Sequence, residues 1–234
     1  MKSQNKEIEH MTLSESIKAA NDIYEIQSVF ESICDEVSTA EVTASAIPAL
    51  EAAFEFDSSN EDWAYVAWSI AEPVLGRNKM TLASECVSRA VNMVKNQPDD
   101  TQFTAATFLF DKATRTKEED GIEDTSIAQS LAQLLMSVDI DDTWELRNFA
   151  SLVGLSTIPE RHRILTELAE RLEKMDLTVA EICELAMNVS DIEGMWNLGD
   201  NAWASRLMIK AESQASSAAD KSEIKSAKVF LEID

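Results

Sequence analysis

Trp63-Ala64-Tyr65-Val66-Ala67-Trp68-Ser69-Ile70 is the stretch whose reading decides the fold. Trp63, Val66 and Ile70 recur at the spacing of one helical face, so this segment reads as an amphipathic helix. The same beat returns before and after it. Ile23, Trp63, Phe103, Trp144, Ile182 and Ile224 are separated by 40, 40, 41, 38 and 42 positions. Three residues after each anchor come Ile26, Val66, Ala106, Arg147, Leu185 and Ala227. Seven after come Phe30, Ile70, Phe110, Ser151, Val189 and Leu231. A long fixed period with helical spacing inside it predicts stacked helical units.

Composition agrees. The chain has 234 residues, of which only 5 are Gly and 4 are Pro, so tight β-turns have few places to form. Acidic residues outnumber basic ones 43 to 20, a formal net charge of −23. Such a chain repels phosphate backbones and anionic membrane surfaces. It attracts and steers a basic partner instead. The charge also serves plain solubility. Cys34, Cys86 and Cys183 have neither disulfide-framework nor zinc spacing, which fits a reducing compartment. No apolar run is long enough for a membrane helix, and the first residues lead into no signal core, so the expected location is cytoplasmic.

Residues 1–11 read as a disordered tail and 12–234 as a single helical-repeat domain. The units are drawn at 12–57, 58–98, 99–139, 140–175 and 176–217, with a last helix over 220–233. Capping boxes, in which the side chains of two residues three apart satisfy each other's free amides, are read at Thr12/Glu15, Ser38/Glu41, Ser58/Glu61, Thr157/Glu160, Thr178/Glu181 and Asp220/Glu223. Pro98 marks a stop between helices, Pro159 suits a first turn, and Pro48 and Pro73 predict a late start or a kink. The polar run Thr116–Asp124, broken at Gly121, reads as a mobile surface loop. The fourth unit has Arg147 and Ser151 on its apolar stripe, which predicts a register shifted by one, through Trp144, Phe149 and Leu152.

With these residues in view, the chain resembles α-helical repeat solenoids, the tetratricopeptide-like and HEAT-like arrays of helical hairpins. Leu198-Gly199-Asp200-Asn201-Ala202-Trp203-Ala204-Ser205-Arg206-Leu207, followed by Lys210-Ala211-Glu212, is similar to degenerate short helical repeats of bacterial proteins. The tetratricopeptide consensus is absent, and the spacing is nearer the HEAT range. The expected fold is all-α: a right-handed α-solenoid of about five antiparallel hairpins plus a C-terminal capping helix. The resemblance implies a scaffold that binds proteins or peptides on an extended surface.

A second stripe, five positions after each anchor, holds Ser28, Trp68, Phe108, Phe149, Met187 and Val229, with Tyr65 beside Trp68. It points away from the main apolar face. One reading is an apolar ladder in an acidic rim, able to hold a basic amphipathic helix. The other is a seam packing first helices against neighbouring units. The candidate partner-binding residues are therefore Tyr65, Trp68, Phe108, Phe149 and Met187, with Glu118, Glu119 and Asp120 as acidic contributors. No calcium-loop, catalytic-triad or phosphate-loop pattern is present, so neither metal, cofactor nor catalytic residue is expected. The leading expectation is a protein-interaction module for a basic protein or peptide, with a bacterial toxin-neutralising, immunity-type protein as one concrete form. A DNA mimic that inhibits a DNA-binding protein, and an enzyme or cofactor-binding helical domain, are the alternatives.

Overall fold

A computed structural model describes residues 12–33, 36–56, 62–191 and 194–233. The expected tail, the Ser58/Glu61 pair and Cys34 lie outside the described residues. Among those described there are twelve α-helices, one 3-10 turn and no strand. No described helix is long and apolar enough to cross a membrane. The chain divides into two compact units, Met1–Leu134 and Leu135–Asp234.

The first unit holds α1 (Leu13–Ala19), α2 (Ile23–Ile33), α3 (Thr39–Phe56), α4 (Trp63–Gly76), α5 (Met80–Val94) and α6 (Asp99–Thr114). After the 3-10 turn Lys117–Glu119, α7 (Thr125–Ser137) crosses the division. Each helix from α1 to α4 packs on the next helix and on the next but one. That neighbour-to-neighbour pattern is consistent with a helical repeat. Ile23, Trp63 and Phe103 are buried as read, and Phe30, Phe103 and Phe110 are among the largest fully buried side chains. Each contributes about 1.5–3 kcal/mol of burial free energy. Hydrogen bonds between helices repeat the sequence period. Tyr24 Oη donates to Asp62 at 2.8 Å, Ser69 Oγ to Glu31 at 3.3 Å and Arg89 Nη1 to Glu51 at 2.7 Å, each pair 38 residues apart.

Pro48 and Pro73 neither delay nor end their helices: α3 and α4 run through both. Each ring removes one N–H donor, a loss confined to the carbonyl four residues back. Near the end of α4 the Pro73 carbonyl accepts from Arg77 Nη1 at 3.0 Å.

The second unit holds α8 (Thr143–Leu155), α9 (Arg161–Lys174), α10 (Val179–Ser190), α11 (Asn201–Gln214) and α12 (Ala218–Leu231). α8 packs on α9, α9 on α10, and α10 on both α11 and α12. The period persists here too, since Thr143 Oγ1 donates to Glu181 across 38 residues at 3.1 Å. The register of the fourth unit differs from expectation. Its buried stripe is Leu146, Phe149, Ala150 and Val153, so the shift is two residues, not one, and Trp144 stands 68% exposed. Arg147 explains the choice: at the edge of the stripe it reaches Glu181 and Glu184, partners that the interior would not supply. In α12 only Ile224 and Ala227 are buried, and Phe230 is exposed.

The capping boxes at Thr12/Glu15 and Thr178/Glu181 form as read. Ser38 keeps only half of its box: its Oγ accepts from the Glu41 amide at 3.2 Å, while Glu41 accepts from the Leu13 amide at 2.8 Å. Thr157/Glu160 is not a box, because α9 starts at Arg161, beyond Pro159. The last box is displaced by three residues to Ser217/Asp220.

The Thr178 box makes a clean test. Its hydroxyl, and then its amide, hold the Glu181 carboxyl below the usual carboxylate range. A lowered folded-state pKa gives stability that is present above the ordinary value and lost as pH falls through the lowered one. Thr178→Ala is expected to cost about 1 kcal/mol at neutral pH. The gap from the parent chain should narrow on acidification, as read by urea denaturation at both pH values.

Candidate functional site

Four of the eight residues proposed from the sequence converge in the first unit. α4 contributes Tyr65 and Trp68, α6 contributes Phe108, and the loop after α6 contributes Asp120. Tyr65 and Phe108 lie with ring centroids 4.2 Å apart at a 42° tilt. Trp68 is only 5% exposed, whereas Tyr65 is 41% exposed. Lys112 sits among them. Its ammonium lies 4.7 Å from the Trp68 ring centroid and 5.8 Å from that of Phe108. It also donates to the Asp120 carboxylate at 2.5 Å and to the Asp120 carbonyl at 3.3 Å. A cation over aromatic faces and against a carboxylate is held by both.

Sequence reading missed Lys112. A signal existed, because Lys112 lies one helical turn beyond Phe108, on the same side of α6.

The loop that carries Asp120 is fastened down, contrary to the mobile loop expected over Thr116–Asp124. The amides of Gly121, Ile122, Glu123 and Asp124 donate to the carbonyls of Thr116, Lys112, Arg115 and Ala113 at 2.8–2.9 Å. Ile122 plugs the interior at 2% exposure. Asp120 adopts the left-handed conformation at φ 63°, which an aspartate tolerates better than most residues. Glu119 is occupied in a capping box with Thr116, while Glu118 is exposed.

Glu72 lies in the same electrostatic neighbourhood. Its carboxyl is pushed up, first by desolvation and then by the Asp120 and Glu31 charges, with Lys112 opposing. The surface here is thus a half-open aromatic pair ringed by carboxylates, with one cation already seated in it.

Phe149 and Met187 belong to the second unit. Phe149 falls on the core stripe once the register of α8 is corrected, and its exposure is 0%. It has no area to offer a partner, so an open ladder running through Phe149 is not what the second unit presents. Met187 is half-buried on α10.

The thiols of Cys86 and Cys183 are core groups. Burial pushes Cys86 up to about 12, with the Glu85 charge adding, and burial also raises Cys183. Neither is a thiolate at neutral pH. Arg161 is structural as well, donating to the Gly154 carbonyl at 2.9 Å and to the Met195 carbonyl. Arg163 pairs with Glu160 and Glu167.

A second concavity escaped the sequence reading. It lies between α3 and α5, has a volume of about 350 Å³, and is walled by Leu50, Phe54 and Met93 with Glu51, Glu55 and Arg89. Its signal was the recurrence of Glu51 and Arg89 at the repeat distance, readable only once second helices are known to stack.

No protein-family model matches the chain, and neither a curated protein nor a solved structure matches it.

Proposed function

We propose that this chain is a protein-interaction module, an acidic helical-repeat protein that binds a basic polypeptide or helix. A toxin-neutralising, immunity-type protein is one concrete form of it. The observation that carries the reading is the first-unit surface, where exposed Tyr65 stacks on half-buried Phe108 beside Glu72 and Asp120. Aromatic area supplies contact energy, and the surrounding carboxylates select for positive charge. The net charge of −23 extends that selection over long range. We propose also that the helix pairs are hairpins of a right-handed solenoid of the tetratricopeptide-like or HEAT-like kind. The neighbour-to-neighbour packing and the 38-residue hydrogen-bond period support this.

The test is purification from native lysate at low salt. A basic protein should copurify and leave as salt rises, and Tyr65→Ala should reduce its recovery. Recovery of the lone chain at every salt concentration would count against the reading.

A further inference from the structure

We infer that the concavity between α3 and α5 is the seat of a basic amphipathic helix, whose apolar side chain enters between Phe54 and Met93 while flanking lysines or arginines meet Glu51 and Glu55. The inference rests on the binding reading above and gives it a location among the second helices, apart from the Tyr65 surface on the first.

The shape suits such an occupant. Leu50, 3% exposed, forms an apolar floor, and Phe54 and Met93 are half-buried walls. A volume of about 350 Å³ lies within the range of roughly 300–1,000 Å³ found for ligand pockets. A methionine wall adapts to varied apolar side chains at little cost.

The charge selects among occupants. Glu51 and Glu55 stand one helical turn apart on α3. Arg89, the cation of the groove, is already held by Glu51 at 2.7 Å and Glu85 at 3.0 Å. Two carboxylates, Glu51 and Glu55, thus line the groove beside one guanidinium that is already satisfied, and Glu55 has no ion pair among the described residues. A second copy of the chain would bring a like charge of −23 and be repelled. A lysine- or arginine-flanked helix is drawn in.

The experiment uses the full chain and two labelled synthetic helical peptides, read by fluorescence anisotropy. One alternates leucine and lysine stripes; the other has the same lysines with serine for leucine. The leucine peptide should bind about tenfold more tightly, and its affinity should fall as salt rises. Phe54→Ser should weaken it by about tenfold. Glu55→Lys, a surface change that leaves the packing intact, should weaken it at low salt and lose its effect at high salt. Binding indifferent to both substitutions would overturn the groove and leave the general reading standing. Failure of both peptides to bind at low salt would overturn the two together.

Discussion

Phe149→Ala is expected to destabilise the chain by about 3–5 kcal/mol, while Trp144→Ala, on the same helix, is expected to cost less than about 1 kcal/mol. The contrast follows from position, since Trp144 carries the larger of the two side chains and size alone would give the opposite order. Phe149 is fully buried on the stripe it shares with Leu146, Ala150 and Val153. Deleting its ring removes the transfer energy and leaves a cavity that the surrounding helices fill only in part. Trp144 stands 68% exposed beyond the Asp142 cap, whose carboxylate accepts from the Trp144 amide at 2.8 Å. That bond is made by the backbone and survives the substitution. Guanidinium denaturation followed by far-UV circular dichroism reads both variants without relying on tryptophan emission. A Phe149→Ala midpoint equal to that of the parent would return Phe149 to the surface and restore the ladder in the second unit.

The misreading of α8 marks where sequence legibility ends. The period was legible because burial recurs with it. Ile23, Trp63, Phe103, Ile182 and Ile224 are all buried, and so are Ile26, Val66, Ala106, Leu185 and Ala227. At the fourth anchor, size misled: Trp144 matched Trp63 in kind. The polar residues Arg147 and Ser151 were the better evidence, because a guanidinium leaves the interior unless carboxylates accompany it. Its carboxylates are Glu181 and Glu184, one repeat further on, and no local pattern announces such a pairing. Half of the candidate site was legible for the same reason that the period was. Tyr65, Trp68 and Phe108 follow from helical spacing on adjacent first helices. Lys112 was legible by the same spacing but went unread, and the fastened loop was not legible, because its amides close onto carbonyls 5 to 11 residues back in no periodic pattern.

That closure carries the second prediction. Gly121→Ala is expected to lower stability by about 2–3 kcal/mol and to release Asp120 from Lys112. A Cβ at position 121 would stand 2.4 Å from the Arg115 carbonyl oxygen and 2.5 Å from the Arg115 Cβ. Both are too close for real atoms, and the first belongs to backbone that already accepts from the Glu123 amide at 2.8 Å. The loop must therefore lift. Lifting breaks the run of amide bonds from Gly121 to Asp124 and pulls Ile122 from its site. Amide hydrogen exchange over these four residues should accelerate well beyond that of α6.

Glu72 supplies a readout that simple destabilisation would not move. In the parent chain its carboxyl is raised by desolvation first and by the Asp120 charge second. A raised folded-state value means that folding favours the protonated form. Its contribution is most favourable at low pH and declines as pH rises from the ordinary carboxylate value through the raised one. Removing Asp120 from the neighbourhood takes away one raising charge and frees Lys112, which lowers the value. The Glu72 titration, followed by carbon-detected NMR of the side-chain carboxyl in the folded Gly121→Ala chain, should therefore move down in pH. The folded signals must persist for the comparison to hold, and a loss of about 2–3 kcal/mol from a domain stable by about 5–15 kcal/mol leaves them. A titration that stays where it was, with slow exchange at Gly121–Asp124, would mean that the loop absorbs the methyl group and that its closeness to Arg115 does not fasten Asp120 to the aromatic pair.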